Sequence, residues 1–196
     1  MAYFFTSDTH FNSATTLTRE YRPFASTEEC DSCIIDSFNR MAGKDDVIYH
    51  LGDFVNYSDK DTDSWYQSIK YPLKINAKIV LIIGNNEERI IKNHFSGSFD
   101  EFKNFAISSG FHDVKKEDYI NLRDRNFYLN HYPSRHKDGY INLFGHTHRA
   151  TGIWKPYGLN MSIDLASFRL ITEDELFRMV FYKENFYDKD VDTNCM

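Results

Sequence analysis

The sequence predicts one α/β domain. Short apolar or aromatic runs alternate with segments of helical spacing, and the helical segments open on capping residues. No linker, internal repeat or low-complexity tract interrupts that alternation. The length of 196 residues agrees, at roughly 150 residues per domain. Residues 1–196 are therefore expected to form a single domain, with 183–196 as a charged tail that frays.

The first strand covers residues 2–6 and runs into Ser7, Asp8, Thr9 and His10. Ser26 with Glu29 has the spacing of a capping box, in which each side chain satisfies a free backbone N–H. Cys30, Ile34, Phe38 and Met41 then recur at helical spacing until Gly43 stops the helix. A strand at 47–51 leads into Gly52 and Asp53. A helix over 62–69 places Trp65 and Ile69 on one face, with Pro72 just beyond. Residues 78–83 carry the strongest strand signal, and their continuous apolar run predicts burial on both faces. That run ends in Gly84, Asn85, Asn86 and Glu87.

Helical spacing returns at 87–94 and 99–108. Strands are expected at 127–130, 140–144 and 159–163, with turns at 133–134, 138–139 and 156–158. Thr172 and Glu175 repeat the capping pattern and open a last helix through about Val180.

Composition narrows the class. The chain is 41% hydrophobic and 16% aromatic, with 17 Phe and 13 Tyr as core material. A chain this long buries about 70% of its unfolded surface and needs no disulfide or metal merely to fold. With 23 Lys and Arg against 29 Asp and Glu, the net charge is −6. That argues against extended nucleic-acid binding along a broad basic face, but leaves room for a small basic pocket.

Residues 1–8 meet an acid at Asp8 without a basic segment followed by an apolar one, so no targeting peptide is expected. The longest strictly aliphatic run, 79–83, is far below the ~20 residues of a membrane helix, so no membrane association is expected. Cys30 and Cys33 form a C-x-x-C inside a predicted helix, and Cys195 is isolated near the end. Without a second C-x-x-C they read as ordinary helix thiols, in keeping with a reducing, cytoplasmic setting.

The chemistry gathers where strands end. The first ends in Asp8 and His10, the next in Gly52–Asp53, the third in Gly84–Asn85, and later ones in Asn130–His131 and Gly145–His146–Thr147–His148. Ligands of α/β sheets collect at the carboxyl ends of strands, so these side chains can converge although 140 residues separate the outermost. One D-x-H or H-x-H alone is weak, because alternation puts i and i+2 on one face anyway. Five successive strand ends in order are not.

This series resembles the calcineurin-like metallophosphoesterase family, whose ordered pattern is D-x-H, G-D, G-N-[HCD], H and G-H-x-H. It is similar in particular to the small, single-domain bacterial and phage branch. The resemblance implies a four-layer α/β/β/α sandwich of two mixed sheets, with a dimetal site at the strand ends. It further implies that Asp8, His10, Asp53 and His148 hold one metal ion. Asp53, Asn85, His131 and His146 hold the second, with Asp53 bridging. Carboxylate, imidazole and amide ligands suit Mn, Fe, Zn, Ni or Mg. Two such ions ~3.5–4 Å apart clamp a phosphoryl group and deprotonate a bridging water for attack on phosphorus.

Asn86 departs from the pattern, because many relatives carry His there near the leaving group. An amide donates a hydrogen bond but delivers no proton. General acid catalysis is worth ~10²–10⁴-fold, and its loss matters most for poor leaving groups. Relatives without the His are often phosphodiesterases, so the expectation is a phosphodiesterase acting on nucleotides, cyclic nucleotides or oligonucleotide ends. A phosphomonoesterase and a non-catalytic metal-binding scaffold are the alternatives. Glu87 and His94 are candidates to replace the missing acid.

Arg135, close after His131, is a candidate to hold a phosphate oxygen, or else an exposed loop arginine. Arg149 is a weaker candidate of the same kind. Phe11 and Phe54 are expected to line the cleft, and Asn12 to contact substrate. His50 reads as a buried histidine supporting the site from behind, while His94 and His112 face solvent. Residues 56–63 and 134–139 are the expected specificity segments.

Overall fold

Two five-stranded sheets form the middle of the computed structural model, which describes residues 1–58 and 64–186. The first sheet contains β1 (Tyr3–Thr6), β2 (Val47–His50), β3 (Lys78–Ile82) and β4 (Asp113–Lys115), all parallel in that order. A two-residue strand, β10 (Ile171–Thr172), pairs antiparallel with β1 and closes one edge. The second sheet runs β5 (Asp118–Leu122), β6 (Arg125–Leu129), β7 (Ile141–Phe144), β9 (Gly158–Asn160) and β8 (Trp154–Lys155). Within it β6, β7 and β9 are parallel, while β5 and β8 are antiparallel at the edges.

Strand alternation divides the core in two. On β1, Phe4 joins one buried cluster and Phe5 the other; on β3, Leu81 and Ile82 separate in the same way. The first cluster lies under α2 (Thr27–Met41), α4 (Asn85–His94) and α5 (Phe99–Ser108), through Ile34, Phe38, Ile90 and Phe102. The second joins the sheets face to face through Phe5, Leu51, Ile82, Phe127, Leu143 and Leu159. Leu176 and Val180 of α6 (Glu173–Phe186) complete that cluster. The expected arrangement of two mixed sheets with helices around them is present. Among the described residues no helix is long and apolar enough to cross a membrane.

The Thr172–Glu175 box closes as expected, at 3.0 and 3.2 Å, whereas Ser26 accepts from the Glu29 N–H at 3.2 Å but Glu29 reaches the Ala25 N–H at 2.7 Å, one residue before the cap. Two elements extend further than expected. The helix α4 begins at Asn85, because the Glu87 carboxylate accepts from the Gly84 N–H at 2.8 Å and caps the turn early. The helix α6 continues to Phe186. The helix expected over 62–69 is α3 (Ser64–Ser68), its first two expected positions lying outside the described residues. The tail from 187 onward, with Cys195, also lies outside them. A short helix α1 (Ala14–Arg19) was not expected, nor were β4, β5, β8 and β10.

Phe11 and Phe54 do not line the cleft. Both are wholly buried in the first core cluster, with ring centroids 4.9 Å apart in an edge-on contact. Cys30 is buried and Cys33 half-buried, and both are free thiols. Burial pushes the Cys30 thiol up to about 11, away from the reactive thiolate range.

Candidate active site

Because β1, β2 and β3 are parallel, their carboxyl ends open at the same edge. The chain continues the ladder past β1 and β2, with N–H groups of Asp8, His10 and Phe11 donating to the carbonyls of Gly52, Asp53 and Phe54 at 3.0, 3.0 and 2.9 Å. The second sheet is joined to that edge by a bridge between Ser7 and Ser162. The His146 N–H also donates to Asp8 Oδ1 at 2.9 Å. These links bring all seven candidate ligands together.

Two groups of donor atoms result. In the first, His10 Nε2 stands 3.1 Å from His148 Nε2 and 3.4 Å from Asp53 Oδ2. In the second, Asn85 Oδ1 lies 3.1 Å from His131 Nε2 and 2.9 Å from His146 Nδ1. Asp53 Oδ1 is 3.7 Å from the same His131 nitrogen, so the Asp53 carboxylate stands between the groups. Donors bound ~2.0–2.2 Å from a common ion stand roughly 3–3.5 Å apart, which these separations approach. Asp8, His10 and His148, and again Asp8, Asp53 and His131, have ligand atoms within 4.8 Å of one another.

The His131 tautomer favours the same use. His131 Nδ1 lies 2.7 Å from the Leu51 carbonyl, which only accepts, so the proton sits on Nδ1 and the Nε2 lone pair faces the cluster. Electrostatics mark the crowding. Burial, then Asp8, pushes the Asp53 carboxyl up to about 7. Burial, then His148, drives the His10 imidazole well below its ordinary value, and burial with His131 lowers His146. Divalent cations would relieve this concentration of lone pairs and acids, so the donor set fits them.

The backbone is strained here. Asp8, His10, Asp53, His146 and His148 have φ of 58°, 46°, 54°, 71° and 46°. These five of the seven candidates lie in the left-handed region, a conformation that L residues adopt at a cost of order 1–3 kcal/mol and that clusters at functional sites. The approach of the β2 and β3 ends also demands glycine. A Cβ on Gly52 would lie 2.5 Å from His131 Nδ1 and 2.8 Å from the Gly84 backbone.

The cluster opens into a cleft of about 570 Å³. Beyond His10, Asp53, Asn85, His146 and His148, its walls include Arg19, Asn56, Tyr57, Asn86 and Arg89. Arg19 and Arg89 escaped the sequence analysis, although Arg89 follows Asn85 by one helical turn. Asp164 escaped as well, yet it follows an expected strand end and binds His148.

The other candidates divide: Asn86 borders the cleft, and Arg135, Asn12 and Arg149 do not. The Asn86 amide is buried, donating to the Val55 carbonyl at 2.9 Å and lying 3.1 Å from His10 Nδ1. Arg135 stacks over the Tyr132 ring at 4.3 Å and reaches Glu88 at 3.5 Å, in a depression apart from the cleft. Asn12 is not among the cleft-lining residues, and its N–H donates to Asp31 at 2.9 Å. Arg149 is exposed.

Neither replacement acid is available. Glu87 is fully buried and accepts from the N–H groups of Gly84, Asp53 and Phe54 at 2.8, 2.9 and 3.0 Å. His94 sits outside the cleft wall against the Tyr57 hydroxyl at 3.2 Å. His50 is buried behind the site, its Nε2 2.9 Å from Thr9 Oγ1. Of the expected specificity segments, Asn56, Tyr57 and Ser58 line the cleft, while 59–63 lie outside the described residues. Residues 136–139 line a separate depression of about 280 Å³.

A fold of two mixed sheets with carboxylates, imidazoles and an amide gathered at their strand ends defines a class. The sequence model of the calcineurin-like phosphoesterase family matches residues 1–185, and the chain belongs to that family. Its members work with two divalent metal ions. Over 82 residues the chain is 32% identical to the uncharacterized protein MJ1445 of Methanocaldococcus jannaschii, a match covering 42% of this chain and 44% of that protein. The chain thus spans less than half the length of this curated relative.

Among solved structures, the protein of unknown function AQ665 from Aquifex aeolicus matches over 91% of this chain and 98% of its own. The TM-score is 0.59 at 18% identity, a likeness of fold. The phosphoesterase Yfce from E. coli aligns over 83% of this chain and 78% of its own, with TM-score 0.45 and 15% identity.

Proposed function

We propose that this chain hydrolyses phosphate esters with two divalent metal ions and prefers diesters of nucleotide type to monoesters. The observation that carries the reading is the convergence of Asp8, His10, Asp53, Asn85, His131, His146 and His148 at one cleft edge. When bound, the ions polarise phosphoryl oxygens and supply a nucleophilic water near neutral pH. Asp8, His10, Asp53 and His148 would hold one, and Asp53, Asn85, His131 and His146 the other.

The chain's own residues argue for the diester preference. The Asn86 amide carries no proton to transfer and is tied to Val55, so the leaving oxygen receives no acid from this position. Arg89 and Arg19, the latter paired with Glu20 at 2.7 Å, put guanidinium donors on the cleft walls, which suits an anionic substrate. The cleft of about 570 Å³ suits a nucleotide-sized ligand better than a free phosphate group. In this reading residues 1–196 act as a single catalytic domain, and the site works without extended nucleic-acid contacts or membrane association.

Purified protein with Mn²⁺ or Ni²⁺, assayed on bis-p-nitrophenyl and p-nitrophenyl phosphate, tests the reading. Faster turnover of the bis-aryl ester is expected. Faster turnover of the mono-aryl ester overturns the diester preference. Activity on neither, with stoichiometric metal bound, makes the chain a scaffold.

A further inference from the structure

Behind the candidate ligands lies a buried ion pair whose residues are 142 apart in sequence. Arg22 Nε donates to Asp164 Oδ1 at 2.8 Å, and a terminal nitrogen donates to Oδ2 at 3.1 Å. Their side chains are 2% and 0% exposed. The guanidinium spends its remaining reach on the first strand end, donating to the Asp8 carbonyl at 2.8 Å and the Thr9 carbonyl at 2.7 Å. Asp164 Oδ2 in turn lies 2.7 Å from His148 Nδ1. One pair therefore touches the backbone that carries Asp8 and His10 and the side chain of His148.

A buried charge pair is weak evidence for a role in stability, since its desolvation offsets much of its attraction. Its directionality is the informative part. A carboxylate already held by Arg22 can only accept, so it keeps the His148 proton on Nδ1. The Nε2 lone pair is then left facing His10 Nε2 at 3.1 Å. Arg19 supports this independently, because its guanidinium has only donors and a terminal nitrogen lies 3.4 Å from His148 Nε2.

We infer that Arg22 and Asp164 are positioning residues for one metal site, holding Asp8, His10 and His148 in register with the Nε2 lone pair of His148 presented as a ligand. The inference rests on the assignment of these three side chains as ligands under the phosphoesterase reading. It goes beyond that reading by giving the site a two-residue brace that neither coordinates metal nor meets substrate.

Asp164→Asn discriminates sharply. Arg22 is an obligate donor, so the single amide oxygen turns toward it and the NH₂ faces His148 Nδ1. An NH₂ there donates, which moves the imidazole proton to Nε2 and blocks ligation. Titration calorimetry with Mn²⁺ should show one of the two sites weakened ~10–100-fold, the range for partners of metal-bound histidines. Arg22→Lys, which cannot span four acceptors, should weaken the same site.

A second measurement needs neither variant nor metal. ¹⁵N-correlated spectra of wild-type imidazoles, above the imidazole titration range, should show His148 protonated on Nδ1. Protonation on Nε2 overturns the inference even if Asp164→Asn does not fold. Wild type binding two Mn²⁺ with Asp164→Asn binding them equally well overturns it too, leaving the phosphoesterase reading intact. Wild type binding no Mn²⁺ overturns the reading itself, and with it the inference.

Discussion

The backbone N–H of Asn86 donates to Oδ1 of Asp53 at 2.9 Å, tying the first turn of α4 to the segment that follows β2. Position 86 is thus fixed beside the centre of the candidate site and lines its cleft, yet its amide can transfer no proton. Asn86→His places a titratable imidazole there at the cost of the Val55 contact. Activity on monoesters with poor leaving groups should rise relative to bis-aryl phosphate, toward the ~10²-fold lower bound of general acid catalysis. The ratio of kcat/KM on the two substrates measures it. An unchanged ratio with both metals bound counts against the role assigned to this position.

Asp53 stands between the two donor groups, with Oδ2 3.4 Å from His10 Nε2 and Oδ1 3.7 Å from His131 Nε2. Asp53→Asn replaces one of those oxygens by an NH₂, which has no lone pair to offer. Metal analysis after gel filtration should find fewer than two Mn²⁺ per chain, and most activity should disappear. A variant that keeps two ions and turns over normally would show that Asp53 does not bridge.

The strand ends were legible because a polar residue closing an apolar run is visible in one dimension. Asp53 after the 47–51 run and Asn85 after the 78–83 run are of this kind. The direction of their neighbours was not legible. Single left-handed residues at His10 and Asp53, with φ of 46° and 54°, break the extended alternation at these two strand ends while the parallel ladder continues to Phe11 and Val55. The residues that follow, Phe11 and Phe54, therefore point into the core instead of the cleft. The direction of Arg135 was hidden for a related reason, since a single turn of 3-10 helix at Pro133–Arg135 lays it over Tyr132. The strands β8 and β10 have two residues each and α1 has six, too short to carry a period. Pairing to partner strands, such as Phe4 with Thr172, creates the two strands, and the Ser13 cap starts α1.

Glu87 joins the two glycine-containing strand ends by accepting four N–H groups, from Gly84, Asp53, Phe54 and, at 3.5 Å, Val55. Burial, followed by the nearby Asp53, pushes its carboxyl up to about 7, against the pull of the Gly84 and Asp53 N–H groups. Glu87→Gln keeps the volume but has one oxygen for donors that now meet two. Leaving a buried N–H without an acceptor costs about 1–3 kcal/mol, and urea unfolding should show a loss of that size. Unchanged stability would mean that the loops hold their course without this carboxylate.

His50 links the fold to pH. Thr9 Oγ1 donates to the Phe54 carbonyl at 2.9 Å, so at 2.9 Å from His50 Nε2 it can only accept, and the imidazole is neutral with its proton on Nε2. Burial lowers its pKa from 6.5 to about 3, with Asp8 pulling the other way. Between those values the unfolded chain binds a proton that the native state refuses. The stabilising contribution is therefore whole above the unfolded value and is lost as pH falls toward the native one, by an amount on the order of a few kcal/mol. His50→Gln keeps a donor for Thr9 and removes the titration. The stability of wild type relative to this variant should fall as pH drops from about 7 to about 5, as read from urea midpoints with unchanged slopes. A difference that stays flat across that interval would show that His50 titrates alike in the folded and unfolded chain.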